Sequence, residues 1–117
     1  MVSQLDLPGN QLCGLDVLGR GTYNAEGITA IADALRVNGS LTSVDLSENH
    51  LTNRGRDMTG IKQLAAALGV NGALTSIDLS CNQLCGLNWE GKGIYTTVGI
   101  TAIADALRVN GGLTKVR

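Results

Sequence analysis

The feature that most constrains this chain is the text Leu41-Thr42-Ser43-Val44-Asp45-Leu46-Ser47-Glu48-Asn49-His50-Leu51, with apolar residues at 41, 44, 46 and 51 and an asparagine at 49. The same spacing runs from Val2 to Leu12 and from Leu74 to Leu84, and it starts again at Leu113. Aligned on Leu5, Val44, Ile77 and Val116, the copies lie 39, 33 and 39 residues apart. A repeat of this length describes a chain of stacked turns, each unable to bury its apolar face alone. The outer turns match each other better than they match the middle one: Gly27–Gly39 returns unchanged as Gly99–Gly111, and Asn10–Leu15 as Asn82–Leu87. The long–short–long order suggests a double unit cut from a longer array.

Inside a turn the periodicity changes. Val44 and Leu46 alternate with Ser43, Asp45 and Ser47, which predicts a short strand with one apolar face. Strands repeated in this way run parallel, and parallel strands need a crossover rather than a tight hairpin. The crossover reads as a helix: Ile28, Ile31, Ala32 and Leu35 share a helical face, as do Ile61, Leu64, Ala65 and Leu68, and Ile100, Ile103, Ala104 and Leu107. Asn24, Asp57 and Thr96 are the expected N-caps. Gly39, Gly72 and Gly111, each after an asparagine, are expected to close the helices in the left-handed conformation. Gly27, Gly60 and Gly99 fall in the first helical turn, where glycine is costly, so a close approach of helix to strand is expected there. The outer turns carry long loops, Gly14–Tyr23 and Gly86–Tyr95, against the shorter Thr52–Arg56 of the middle turn.

The strand text Val44-Asp45-Leu46-x-x-Asn49-x-Leu51, the helix text Gly27-Ile28-x-x-Ile31-Ala32-x-Ala34-Leu35 and the following Asn-Gly-x-Leu-Thr together resemble the ribonuclease-inhibitor-like class of leucine-rich repeats, over essentially the whole chain. That resemblance implies an α/β leucine-rich-repeat solenoid, with short parallel strands on the concave side and helices on the convex side. It would form one domain over 1–117, with repeats at 1–40, 41–73 and 74–112 and the start of a fourth at 113–117. It implies an elongated body, and a buried ladder of Asn10, Asn49 and Asn82 that satisfies backbone groups where the chain leaves each strand. It also implies protein-binding work. Repeats of this class are near 28–29 residues, so the extra residues here are expected to form an added loop.

Composition narrows the function. The net charge is −1 and no basic run occurs, so the electrostatic footprint of a nucleic-acid binder is missing. No apolar stretch approaches the ~20 residues of a membrane-spanning helix, and Met1–Asp6 does not read as a signal peptide. The expectation is a cytoplasmic protein with neither nucleic-acid nor membrane partners. Cys13, Cys81 and Cys85 are an odd set. Cys13 and Cys85 occupy one repeat position two turns apart, about 10 Å at strand spacing, so free thiols are expected.

Few residues are candidates for chemistry. Gly86–Gly93 has the spacing of a phosphate-binding loop, but Gly93 stands where Ser or Thr would reach a magnesium ion. It therefore reads as a flexible glycine-rich loop. His50 is the lone histidine, which leaves no zinc spacing and no credible Ser/His/Asp set. Asp6, Asp45 and Asp78 should form a column on the outward strand face, where each raises the pKa of the others. The expected partner-binding residues are Ser43, Asp45, Ser47, Ser76, Asp78 and Ser80 on that face, with the loop aromatics Trp89, Tyr23 and Tyr95 at the rim. The expected function is a scaffold for an unidentified protein partner, with no catalysis and no cofactor. The alternative is a regulator acting in trans, such as a GTPase activator or enzyme inhibitor, through Arg54, Arg56 and Lys62. Open stack ends also predict head-to-tail self-association.

Overall fold

The computed structural model describes residues 3–15, 20–87 and 90–117. Four short strands, β1 (Gln4–Asp6), β2 (Ser43–Asp45), β3 (Ser76–Asp78) and β4 (Lys115–Val116), form one parallel sheet in chain order. Between them run three helices, α1 (Glu26–Val37), α2 (Thr59–Val70) and α3 (Val98–Val109). The register pairs Leu5 with Val44, Val44 with Ile77 and Ile77 with Val116, as the aligned sequence copies require. The protein is thus an α/β fold in which each strand–loop–helix turn lies on the one before it.

One core joins sheet and helices. Val44, Leu46, Ile77 and Leu79 from the strand segments pack in the same buried cluster as Ile28, Leu35, Ile61, Leu64 and Leu68 from the helices. Residues 43, 45, 76 and 78 lie on the opposite face of the sheet. The radius of gyration is 13.2 Å and the extents are 37 × 27 × 20 Å. The expected elongation is not expressed in the radius, which is ordinary for a domain of ~100 residues.

The predicted helix stripes are buried on α2 and largely buried on α1, where Ile28, Ala32 and Leu35 lie against α2. On α3 the stripe is mostly outside. Ile103 is buried, while Ile100 is 51% exposed, Leu107 is 38% exposed and Ala104 is also exposed. α1 and α3 share this sequence; what differs is the side on which α2 lies, since α2 covers this stripe of α1 but packs against α3 on its Gly99, Ile103 and Ala106 side.

The helix ends differ from expectation in two details. Asn24 Oδ1 accepts from Glu26 N at 2.7 Å, Asp57 Oδ1 from Thr59 N at 2.9 Å and Thr96 Oγ1 from Val98 N at 3.2 Å. These side chains do satisfy first-turn N–H groups, but they stand one residue before the caps, Ala25, Met58 and Thr97. At the other end Gly39, Gly72 and Gly111 are not left-handed. The preceding Asn38, Asn71 and Asn110 are extended instead, and their side chains close the turn: Asn71 Oδ1 accepts from Ala73 N and Leu74 N, both at 2.9 Å.

The early helical glycines are explained by close approach, although to the loop after the strand rather than the strand itself. A Cβ on Gly27 would lie 2.6 Å from the carbonyl oxygen of Leu12, and one on Gly99 would collide with that of Leu84.

Candidate functional site: the polar face of the sheet

The strands are short, and their alternation forces every second side chain off the core. Gln4 and Asp6, Ser43 and Asp45, Ser76 and Asp78 stand in rows across the sheet and continue into Lys115 and Arg117. They line a shallow cavity of about 160 Å³. The face is charged along its length: a carboxylate on each of the first three turns, then two cations on the fourth.

Each carboxylate is held by its own turn. Asp45 Oδ1 accepts from Ser47 N at 2.9 Å and Ser47 Oγ at 2.7 Å. Asp78 Oδ1 accepts from Ser80 N at 2.9 Å and Ser80 Oγ at 2.6 Å. In the first turn Pro8 replaces that serine and offers neither donor, so Asp6 is held by Gln4 Nε2, at 2.9 and 3.2 Å. Ser47 and Ser80 therefore orient the aspartates, and Ser47 is itself buried. Their donors leave Oδ2 of Asp45 and Asp78 for an incoming group.

The expected mutual raising of the carboxylate pKa values does not describe Asp78. Its pKa lies below the ordinary value, because the Ser80 hydroxyl and N–H stabilise the ionised form, with Arg117 and Lys115 adding to them. Two donors on one oxygen and two cations in the next row outweigh the desolvation that opposes them.

The asparagine ladder is present with one difference. Asn49 Nδ2 donates to Leu46 O, Ser47 O and, across turns, Leu7 O at 2.9–3.0 Å, while its Oδ1 accepts from Asn10 N at 2.9 Å. Asn82 repeats this, donating to Leu46 O at 2.7 Å and Leu79 O at 3.1 Å and accepting from Asn49 N at 2.9 Å. Asn10 is exposed rather than buried, and its amide reaches only Pro8 O, at 3.2 Å. The reason is directional: each ladder amide reaches back to the preceding turn. Residues on both sides of Asn49 and Asn82 are left-handed: Glu48 and His50, Cys81 and Gln83.

The loop aromatics divide. Tyr23 is half-buried, and its hydroxyl donates to Leu51 O at 2.7 Å and accepts from Gly60 N at 3.3 Å, so it fastens the first turn to the second rather than facing a partner. It also bonds the buried Cys13, and burial pushes both groups' pKa values up. Tyr95, its counterpart, is 66% exposed. Trp89 lies outside the described residues. The glycine-rich loops are pinched by antiparallel bridges, Leu15 with Gly21 and Leu87 with Gly93. The phosphate-loop spacing follows from that pinch: Gly86 and Gly93 have positive φ, and a Cβ on either would strike opposing backbone. Helix α3 starts only at Val98, several residues after Gly93, and so does not open directly from the loop as a phosphate-binding helix would. Arg54 sits beneath it, its carbonyl accepting from Ile94 N at 2.9 Å, while Arg56 and Lys62 are exposed. His50 Nδ1 lies 3.2 Å from Gln83 Nε2. All three cysteines are free, and among the described residues no group of three His, Cys, Asp or Glu is placed to hold a metal ion.

No protein-family model matches this chain. A search of curated proteins finds no match either.

The structure adds two further ladders that the strand text does not announce. Asn71 Nδ2 donates to Leu35 O at 2.6 Å and Asn38 O at 3.1 Å, and Asn110 Nδ2 to Leu68 O at 2.6 Å and Asn71 O at 2.7 Å. Thr42, Thr75 and Thr114 Oγ1 donate to Ser3 O, Thr42 O and Thr75 O at 3.0–3.2 Å. The signal was there in the recurrent Asn-Gly-x-Leu-Thr, which reads as a helix stop followed by a strand start.

Proposed function

We propose that this chain is a segment of a ribonuclease-inhibitor-like leucine-rich-repeat solenoid and serves as a scaffold for a protein partner, without catalysis of its own. The observation that carries the reading is the polar sheet face, where residues equivalent in each repeat stand in rows and present an acidic column beside a basic end. Its fixed carboxylates are preoriented acceptors, which suits a partner segment with basic groups along the column and an acidic group at Lys115 and Arg117. The exposed Tyr95 and Ile94 offer a separate apolar contact on the loop. Regulation of an enzyme in trans would use the same docking and would appear as a change in the partner's activity. Three free thiols fit a reducing compartment such as the cytoplasm, and no helix among the described residues is long and apolar enough to cross a membrane.

The test is affinity capture with the wild type, with Asp45→Lys/Asp78→Lys, and with a variant lacking the 88–92 loop tip. A partner retained by wild type at low salt and lost by the charge reversal supports the face. Equal recovery by the charge-reversed chain overturns it, and loss only with the loop variant transfers the site to the rim.

A further inference from the structure

The middle turn, which has a turn on either side, holds a strained segment. Asn53, Arg54 and Gly55 are left-handed in succession, at φ 48°, 55° and 85°. Residues with a Cβ disfavour that conformation, so contacts from outside the segment must hold it. The contacts come from the third turn. Thr52 Oγ1 donates to Gln83 O at 2.8 Å, Arg54 N donates to Gln83 Oε1 at 3.3 Å, and Ile94 N donates to Arg54 O at 2.9 Å. Gln83 also reaches His50, whose Nδ1 lies 3.2 Å from its Nε2. One amide side chain thus joins the only histidine to the strained segment, and that segment holds the start of the third turn's long loop.

The Gln83 amide can be oriented one way only. Arg54 N is a backbone donor, so the Gln83 atom facing it must be the acceptor Oε1. That turns Nε2, which only donates, toward His50 Nδ1. Nδ1 must then carry its lone pair, so the ring is neutral with its proton on Nε2. An imidazolium would set an N–H against an NH2 group. Reversing the amide would satisfy the imidazolium only by setting the NH2 group against Arg54 N. We propose that His50 is a proton-operated latch: its neutral ring fixes Gln83, Gln83 fixes the Asn53–Gly55 segment, and protonation releases that segment from the long loop of the third turn. Histidine is the side chain whose charge changes between about pH 8 and 5. The charged side chains on the segments concerned are Glu48, Arg54, Arg56 and Asp57 on the loop of His50, and Glu90 with Lys92, 3.6 Å apart, on the long loop. The equivalent segments of the adjoining turns, Gly9–Gly14 and Cys81–Gly86, carry no charged residue, and their only titratable side chains are the thiols of Cys13, Cys81 and Cys85.

The experiment measures amide hydrogen exchange by NMR on the 117-residue chain between about pH 8 and 5, each rate taken relative to the unfolded chain at the same pH. Protection at Arg54 N and Ile94 N is expected to fall about five- to tenfold with acidification, the factor that one lost hydrogen bond represents. Protection at Asn10 N and Asn49 N, which bond the asparagine ladder instead, should not change. His50→Gln supplies the residue that stands at this position in the other two turns, Gln11 and Gln83. It keeps an acceptor for Gln83 Nε2 and should abolish the pH dependence. Gln83→Glu places a carboxylate oxygen toward both Arg54 N and His50, so protonation of the ring should now tighten the segment and reverse the sign, a result that misfolding does not mimic. Wild type and His50→Gln decide whether His50 is the latch, and Gln83→Glu decides how it works. Protection that is independent of pH in wild type overturns the proposal. So does a loss that persists in His50→Gln, or a Gln83→Glu chain that loosens on acidification as wild type does.

Discussion

The asparagine at the end of each helix can be tested against itself. Asn38 and Asn71 occupy the same repeat position, cap the same kind of helix and accept from the same two backbone N–H groups. Asn71 is buried and also donates to Leu35 O and Asn38 O in the turn before; Asn38 is exposed and makes no such bond. Replacing Asn71 by alanine strands four backbone groups, two of them, Leu35 O and Leu74 N, fully buried. At about 1–3 kcal/mol for each buried group left without a partner, and less for the two that water can reach, Asn71→Ala should cost about 3–5 kcal/mol. Asn38→Ala loses only a local closure at the surface and should cost about 1 kcal/mol. Urea unfolding followed by circular dichroism at the helix band measures both. If the two variants differ by less than about 1 kcal/mol, the cross-turn bonds contribute nothing and the asparagine is only a cap.

Glu48→Gly relieves a left-handed residue that makes no side-chain hydrogen bond, and should raise stability by about 1 kcal/mol; a lowered unfolding midpoint would contradict this. Gly27→Ala drives a Cβ against Leu12 O and should destabilise by about 1–3 kcal/mol, whereas Gly39→Ala, where the Cβ meets nothing within 4 Å, should not destabilise. The Asp78 carboxyl titrates below its ordinary range when folded, so the stability it contributes is complete above about pH 4–5 and fades as pH falls through the folded pKa. Asp78→Asn should therefore flatten the acid limb of the stability profile, and an unchanged limb would refute the assignment. Cys81 should react with a thiol reagent in the native state, while Cys13, buried and raised in pKa, should react only on unfolding.

What could be read from the sequence was whatever a turn specifies about itself. Alternation through Val44 and Leu46 located β2 and its register with Ile77, and the spacing of Ile61, Leu64 and Leu68 located α2. What depends on the neighbouring turn could not be read. Ile28 and Ile100 have identical sequence surroundings and opposite exposure; Tyr23 and Tyr95 sit in matching loops, and only Tyr23 has a following turn to bond. Asn71 and Asn110 read in sequence as part of a glycine cap, because the bonds they make cross to another copy of the repeat. The same limit applies to the sheet face. Its columns were visible in the spacing, but Ser47 and Ser80 proved to hold the aspartates, and the pKa of Asp78 moved opposite to expectation.

The three ladders share a direction. Asn49 bonds back to Leu7, Asn71 to Leu35 and Thr75 to Thr42, so the side chain that seats a turn belongs to that turn and the backbone it needs belongs to the turn before. Tyr23 and Thr52 are the exceptions, reaching forward to Leu51 and Gln83. A ribosome delivers the chain in the same order. Each turn leaves the exit tunnel carrying the groups that fasten it to a surface already made, and assembly can keep pace with synthesis from the first turn to the last.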